Sequence, residues 1–529
     1  MGRELGKVQQ QNSSRRIISN QSSSSSSSSS SVSSQVKMRQ PLLDARWTSV
    51  LYTLVASLTY VTAGTMVGWS SGSIHRSGAS LPLLDNWSIS LAATPAIVIS
   101  VTACVVHRCY RWVGTKAFLL TATVLASGSS ALDAYGTCFW SASVARVLAG
   151  IAAGIALTLV PSYVDEFGAC GQRRPPLDVL LATAFPFGVL LRFGADLLPY
   201  PTDPHWNAVR WAALPTCAFL GLLFLPESAR YLCATGRVSQ AAALLQRTHE
   251  PTDQPALQEL LARWQQPAPG LLEAVQRQAN LTLLIPLLGL FAFQACVGAL
   301  PMLFYLADLL ALAGHRPAAS SPQAAALVAA TLTATVALTH YLPGGQRHRR
   351  PLLALSALGL AVAALALGWH CHAQRTRSPA HTEPLTDWPL YGFALLYAAY
   401  GAGFHRLPGA LLAAEATDEN LAALRALATA VRWFAVYLTV RLLPVLLRTI
   451  GLGWVLWNVA LVALSAAGLA LLCLPGQDAY AHKALPGATR STASSVSSSS
   501  SAAAADSRHP TPPYWPTAPP SGTVGPELV

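Results

Sequence analysis

The chain has 529 residues, of which 52% are hydrophobic and only 11% charged, and its mean hydropathy is +0.40. Soluble proteins are typically about 25% charged, so this composition excludes a soluble globular protein and indicates a polytopic membrane protein in contact with the lipid bilayer. The net charge of +12 does not indicate a nucleic-acid partner, because the basic residues lie in short loops between apolar spans, as the positive-inside bias requires.

The chain begins and ends with polar, low-complexity sequence. Residues 1–46 contain a serine run at 22–31, and residues 476–529 are rich in Ser, Ala and Pro. Neither segment has the apolar residues needed for a core, so both are predicted to be disordered. No apolar segment precedes about residue 48, and we therefore expect no cleaved signal peptide.

Between these tails, twelve stretches are long and apolar enough to cross a bilayer as helices. The predicted spans are residues 48–69, 87–106, 116–133, 139–164, 178–199, 207–225, 281–306, 321–342, 351–370, 389–414, 426–447 and 450–474. The longest internal polar stretch, 226–280, separates them into two sets of six and is predicted to be a cytoplasmic linker with short surface helices. The predicted organisation is therefore a tail (1–46), a six-helix bundle (47–225), the linker (226–280), a second six-helix bundle (281–475) and a tail (476–529).

The placement of Lys and Arg sets the predicted orientation. If the N-terminus is cytoplasmic, most basic loop residues fall on the cytoplasmic side; one inner loop, 415–425, departs from this bias because Glu415, Asp418 and Glu419 outnumber Arg425. We expect a multi-pass protein of the plasma membrane with both termini in the cytoplasm.

The most specific motif follows the sixth span directly. Residues 226–232 read Pro-Glu-Ser-Ala-Arg-Tyr-Leu. This resembles the PES-x-R-[WY]-L sequence that closes the sixth transmembrane helix in sugar porters and in solute carrier family 22, two families of the major facilitator superfamily. The continuation Gly236-Arg237 leans toward solute carrier family 22. The resemblance implies an all-α, twelve-helix fold of two six-helix bundles and secondary transport by alternating access.

Further residues of the first half fit the same resemblance. Arg146 and Gly150 in the fourth span resemble the superfamily's R-x-x-x-G motif. An Arg inside an apolar helix is costly, so Arg146 should face the protein interior and find a partner there. Gly150 would allow close approach of a neighbouring helix. The alternative is an Arg that reaches the outer membrane face.

The resemblance also implies a network of cytoplasmic charges. Glu166, at the end of the fourth span, matches the family's acidic residue there, and Arg173 follows it. In related transporters such charges pair across the two halves and lock the outward-open state. Glu166, Glu227 and Arg230 are the candidates for this role, and solvated helix ends are the alternative.

The loop between the second and third spans departs from the family pattern. When His107–Lys116 is aligned on Gly114 and Lys116, Arg111 occupies the position of the family's Asp. This reverses a charge in the interdomain latch. It motivates an alternative function, that of a non-transporting membrane receptor or scaffold on a carrier fold.

Ionisable residues inside the spans are the best indicators of a substrate site. The candidates singled out here are basic: Arg192, Arg406, Arg432 and Arg441. Arg432 is nearest to the position where organic anion carriers of the resembled family hold an Arg, and residues 426–447 contain no acid. We therefore predict transport of a small organic ion, preferably an anion. The alternative is that these Arg residues reach the membrane edge or pair with carbonyls, as Arg192 could with Asp196.

Other functions are less well supported. A sugar porter is a weaker alternative, because the second half lacks a Gln-rich, aromatic-lined seventh helix. His370-Cys371-His372 has a spacing that could hold a metal, but it lies in a loop without a matching second shell, so no metal is expected. There is no phosphate-binding GxxxxGK[ST] loop and no nucleophile–base constellation. We expect neither a cofactor nor an enzymatic activity.

Overall fold

The computed structural model describes residues 45–76, 86–136, 138–168, 175–198, 203–249, 254–265, 269–277, 281–315, 321–340, 349–376 and 387–473. Arg173 and nearly all of both tails predicted to be disordered lie outside these ranges. Within them all regular secondary structure is helical, as the apolar spans predict.

Six long helices form the first half. They are α1 (Ala45–Arg76), α2 (Asn86–Val113), α3 (Thr115–Tyr135), α4 (Phe139–Asp165), α5 (Pro175–Ala195) and α6 (Pro204–Phe224). Each contains one of the first six predicted spans apart from a few terminal residues. Gly114 separates α2 from α3 with a φ of +98°, a conformation that favours glycine because it has no β-carbon.

Four short helices follow α6: α7 (Ala229–Ala234), α8 (Val238–Thr248), α9 (Gln254–Trp264) and α10 (Leu271–Arg277). Apolar side chains of α7, α8 and α9, such as Leu232, Leu245 and Trp264, form a small core of their own. The Ser49 hydroxyl at the start of α1 donates to the Thr248 carbonyl at 3.1 Å and ties these helices to the bundle. We call this end of the bundle the linker end and the opposite end the far end.

The second half contains α11 (Leu281–Cys296), α12 (Ala299–Leu303), α13 (Leu306–Leu312), α14 (Ser321–Thr339), α15 (Arg349–Thr376), α16 (Trp388–Ala399), a π-helical turn (Tyr400–Phe404), α17 (Leu407–Glu415), α18 (Asp418–Thr449) and α19 (Leu452–Cys473). The seventh predicted span is thus three helices. It breaks at Gly298, whose φ of +83° lies in the left-handed region.

The tenth predicted span is also interrupted. The π turn replaces regular α-helix at Tyr400–Phe404, and α17 begins only at Leu407, with a proline in its first turn. By length and composition, eleven membrane-spanning segments are found among the described residues, and α16 with α17 supplies the twelfth. The predicted all-α, twelve-span architecture is confirmed, with two spans that are bent rather than straight.

Close backbone contacts hold the helices together. Gly64 of α1 and Gly188 of α5 face each other where the helices cross, and a β-carbon at Gly188 would overlap the Val61 carbonyl oxygen. Small residues are the usual means of such approach between membrane helices. The two halves meet through α2 with α18 and α5 with α14; in the first pair the Ser100 hydroxyl donates to the Ala430 carbonyl at 2.8 Å.

Because the backbones of α1 and α5 are in contact where the helices cross, a single methyl group added there should destabilise the protein. Gly188→Ala should lower the free energy of unfolding by about 1–3 kcal/mol, because the two backbones must separate. Gly194→Ala in the same helix is the matched control, since nothing lies within 4 Å of its β-carbon position. Unfolding in mixed detergent micelles measures both; equal stability of the two variants would contradict the proposed packing.

Candidate functional site

Arg432 lies between the two halves. The hydroxyl of Tyr60 in α1 is close enough to interact with its guanidinium, and Tyr400 and His405 at the bend of the tenth span lie within electrostatic range. The His405 ring in turn approaches the carbonyl of Ala182 in α5. The guanidinium of Arg432 therefore faces the protein interior rather than lipid.

Gln294 of α11 braces the bend in the tenth span. Its side-chain nitrogen Nε2 donates to the carbonyls of Phe404 at 2.5 Å and His405 at 3.2 Å. Pro408 has no N–H with which to satisfy the Phe404 carbonyl four residues earlier, so the helix leaves an acceptor for Gln294 to fill. The side chain is 1% exposed, and its oxygen Oε1 has no hydrogen-bond partner.

Trp433 completes the cluster. Its ring packs edge-on against Phe185 of α5, with ring centroids 6.2 Å apart, and Tyr60 packs against the same Phe185 at 6.4 Å. The side chain is 1% exposed and its Nε1–H has no hydrogen-bond partner. We define the central cluster by the residues Tyr60, Gln294, Tyr400, His405, Arg432 and Trp433.

Three polar atoms of the central cluster lack a hydrogen-bond partner, as do some buried polar atoms of other described residues, such as Arg146 and Asp133. Oε1 of Gln294, Nε of Arg432 and Nε1 of Trp433 are buried without a hydrogen-bond partner. Nearly all buried polar groups in folded proteins are hydrogen-bonded, so each exception calls for an explanation. Two donors and one acceptor on neighbouring elements of the second half are suited to a polar solute that both accepts and donates hydrogen bonds.

The other predicted binding residues are spread over the molecule. Arg406 lies at the edge of the central cluster, within electrostatic range of His405 and His340. Arg441 is exposed near the far end, where it donates to the Ser90 hydroxyl of α2 at 2.8 Å. Arg192 is 4% exposed and stacks over the Trp211 ring, 3.7 Å from its centroid. Of the predicted binding residues, Arg432 and Arg406 are thus the two that lie within electrostatic range of His405.

Arg146 belongs to a second cluster, in the far part of the first half. It is 2% exposed, forms an ion pair with Asp133 of α3, and stacks over the Trp69 ring at 3.5 Å. A β-carbon at Gly150 would touch Val98 of α2 at 2.7 Å, so this glycine lets α2 and α4 approach. Asp133 was not among the predicted residues, although an acid at the end of the third span is a visible candidate for the required partner.

A small cavity lies inside the first half, between α1, α3 and α4. Its volume is about 10 Å³, and Thr59, Thr62 and Thr123 line it. Their hydroxyls donate to carbonyls of their own helices. The space holds roughly one water molecule and is too small for an organic solute, so we assign the candidate site to the central cluster instead.

At the linker end, Glu166 and Glu227 join elements of the first half to α7. Glu166 accepts hydrogen bonds from the Ser228 hydroxyl at 2.6 Å and the Ala229 N–H at 2.7 Å. Glu227 accepts from the Lys116 N–H at 2.9 Å. A β-carbon at Gly114 would approach the Glu227 carboxylate to 2.9 Å. Arg111 precedes this turn, in the last turn of α2.

The contact between halves at this end uses a different acid from the predicted one. Asp165 of α4 forms an ion pair with Arg425 of α18. Arg230 stacks over Trp264 and places Nη1 3.5 Å from the Asp418 carbonyl oxygen. Successive helical residues project about 100° apart, so Asp165 faces the second half while the neighbouring Glu166 faces α7.

The Asp165–Arg425 pair should be coupled energetically. In a double-mutant cycle of Asp165→Asn and Arg425→Gln, we expect a coupling of up to about 1 kcal/mol that weakens in high salt, because both side chains are only partly buried. Unfolding in mixed micelles measures it. Glu273 and Arg277, an exposed pair within α10, are the control, with about 0.5 kcal/mol or less. If the effects of the two substitutions on the free energy of unfolding are additive, Asp165 and Arg425 are not coupled.

Glu166 should make stability depend on pH. Burial raises its pKa to about 7, although Ser228, Arg230 and the Ala229 N–H act in the opposite direction. The folded state then keeps a proton that the unfolded chain releases near its ordinary pKa of 4.5. The contribution of protonated Glu166 to the free energy of unfolding is therefore complete below pH 4.5 and is lost as the pH rises through about 7.

We therefore expect the free energy of unfolding to fall between pH 5 and pH 8 by up to about 1.4 kcal/mol per unit, and Glu166→Gln to remove this component. Unfolding measured at intervals across that range, with the exposed-residue variant Glu259→Gln as control, tests the assignment. An identical slope in Glu166→Gln and the parent would show that another group is responsible.

Comparison with known proteins identifies related sequences. The family model "Sugar (and other) transporter" matches residues 15–478. A D-xylose transporter of Levilactobacillus brevis is 30% identical over 199 residues, 36% of this chain and 42% of that protein. Probable polyol transporter 4 of Arabidopsis thaliana is 25% identical over 333 residues, 59% of this chain and 62% of that protein. The chain thus spans less than two thirds of these relatives' lengths.

Solved structures extend the similarity across the whole fold. A partially occluded, inward-open structure of the xylose transporter XylE from E. coli has a TM-score of 0.63 and 18% identity, covering 81% of this chain and 99% of that one. XylE bound to 6-bromo-6-deoxy-D-glucose has a TM-score of 0.66 and 19% identity, covering 81% and 97%. The fold is that of the major facilitator superfamily, whose members are multi-pass membrane transporters and not enzymes.

Proposed function

We propose that this chain, which belongs to the sugar (and other) transporter family, moves a small polyhydroxylated solute across a membrane by alternating access. One observation carries the proposal: the unsatisfied atoms of the central cluster include both donors and an acceptor. A sugar or polyol hydroxyl can donate to Gln294 Oε1 and accept from Trp433 Nε1, whereas an acceptor-only ligand leaves Gln294 unsatisfied. The sugar and polyol transporters among the relatives support the same solute class. The sugar porter, the weaker alternative from the sequence, thus becomes the preferred one.

The contacts between halves suit such a cycle. Asp165–Arg425 joins them at the linker end, Arg441–Ser90 joins them near the far end, and Tyr60–Arg432 lies between. Separating one end while the other stays joined would expose the central cluster to one side of the membrane at a time. The substrate would then cross by movement of one half against the other, as in other carriers built from two repeats.

A small organic anion is the second candidate. It is the substrate class that the resemblance to solute carrier family 22 implies, and the interior position of Arg432 favours it. The third candidate function is that of a membrane receptor or scaffold that does not transport a solute. The plasma membrane and a cytoplasmic position for both termini are likewise proposed, supported by the basic residues of the predicted inner loops.

Transport into proteoliposomes tests the proposal. Purified protein should take up at least one of radiolabelled xylose, glucose, sorbitol or inositol down its gradient. Trp433→Phe keeps the ring against Phe185 but removes the Nε1–H, so the half-saturating concentration should rise about 2–10-fold, the value of one neutral hydrogen bond. Gln294→Ala should raise the half-saturating concentration at least as much, since it also removes the hydrogen bonds to the Phe404 and His405 carbonyls at the bend.

Gln240→Ala, on the exposed surface of α8, is the control and should transport normally, with gel filtration showing that each variant is folded. Flux that is unchanged in both Trp433→Phe and Gln294→Ala would place the substrate site elsewhere. Binding of these solutes without flux in the parent protein would favour the receptor.

A further inference from the structure

Helix α18 carries three arginines toward the interface between the halves, and their surroundings differ. Arg425 pairs with Asp165 at the linker end. Arg441 donates a hydrogen bond to Ser90 near the far end. Arg441 and Asp308 both lie within electrostatic range of Tyr305. Arg432 lies between them, and none of the described carboxylates is within 4 Å of its guanidinium.

The other two arginines are well separated from Arg432 along the axis of α18. At 1.5 Å of rise per residue, Arg425 is about 10 Å and Arg441 about 13 Å from Arg432 along the axis. Asp165 pairs with Arg425, and Asp308 lies within electrostatic range of Tyr305, as Arg441 does. The groups within electrostatic range of Arg432 include the hydroxyls of Tyr60 and Tyr400 and the ring of His405, which is also within range of Arg406. The central cluster is thus positively charged in the part of the protein that the structure describes.

The Tyr60 hydroxyl is a neutral partner, so the charge of the Arg432 guanidinium has no counter-ion among the described residues, and an anion would supply one. A carboxylate suits it, because its two oxygens can accept the parallel N–H groups of the guanidinium. A simple carboxylate nevertheless has no donor for Gln294 Oε1 and fills only one side of the cluster. A neutral sugar has the donor but leaves the charge of Arg432 uncompensated.

From these two requirements together we infer that the preferred substrate is a polyhydroxylated carboxylate, a sugar acid such as a uronate or aldonate. This inference rests on the proposed transport function and names the substrate class of the same site. Arg432 holds the carboxylate. Gln294 accepts from a hydroxyl of the same molecule and Trp433 donates to one. The rings of Tyr60 and Trp433, both against Phe185, supply apolar surface for the C–H face of the sugar.

Three matched solutes separate the requirements: glucuronate, which has both the hydroxyls and the carboxylate; glucose, which lacks the carboxylate; and cyclohexanecarboxylate, which lacks the hydroxyls. Competition and uptake are measured in proteoliposomes at pH 7.4, where both acids are ionised. We expect the half-saturating concentration of glucuronate to be at least tenfold below that of the other two.

Substitutions in α18 test whether Arg432 is responsible for the preference for glucuronate. Arg432→Gln should remove the advantage of glucuronate over glucose, measured as the ratio of their half-saturating concentrations in the same variant, and Arg432→Lys, which keeps the charge, should retain part of it. Arg448→Gln, an exposed arginine of the same helix, is the control and should behave as the parent. If Arg432→Gln does not fold, as judged by gel filtration, the Lys variant and the three-solute comparison still decide.

The outcomes distinguish this inference from the transport proposal. Glucose equal to or better than glucuronate overturns the sugar-acid inference and leaves sugar transport standing. Cyclohexanecarboxylate equal to glucuronate overturns it in favour of a general organic anion. A glucuronate preference that survives Arg432→Gln also overturns it. If none of the three solutes, nor xylose, sorbitol or inositol, is transported or bound, the proposed function itself fails.

Discussion

The requirement that a guanidinium inside an apolar bundle have a partner shapes much of this structure. Arg146 obtains both an aspartate and a tryptophan face, and Arg192 obtains the face of Trp211. Tryptophan is suited to this role because its ring attracts cations electrostatically while remaining compatible with the apolar surroundings. These contacts join α1, α3, α4, α5 and α6, so the charges that would destabilise a membrane helix in isolation instead fix the arrangement of the first half.

The bend in the tenth span shows how backbone chemistry can create a site. A membrane interior offers no water to satisfy backbone groups left unpaired by an interrupted helix. Gln294 supplies donors to the Phe404 and His405 carbonyls, and in doing so its side-chain oxygen is left without a partner. The bend also brings Tyr400 and His405 near Arg432. Interrupted geometry and the chemistry of the central cluster therefore have one origin.

Much of the fold follows from the sequence, because span length and hydropathy are local properties. The breaks at Gly298 and Tyr400–Phe404 were harder to predict, since apolar composition continues through both. Partners were harder still: whether Asp165 or Glu166 faces Arg425 depends on how two distant helices are rotated. The sequence analysis gave the sugar porter little weight because the seventh span is not Gln-rich, yet its single Gln294 lies in the central cluster. The motif after the sixth span is shared by both families, and the match over residues 15–478 favours the sugar transporters.

The reversed charge at Arg111 was the main reason to consider a carrier fold that does not transport. In the structure, the turn after Arg111 is held by backbone chemistry: Glu227 accepts from the Lys116 N–H, and Gly114 makes room for the carboxylate. The charge contact across the halves is made separately, by Asp165 and Arg425. An acid at position 111 is thus not needed for either contact. α18 thus contacts the first half through Arg425 at the linker end and through Arg441 near the far end, with Arg432 between them. A solute bound in the middle of the interface could hold the halves together while either end opens.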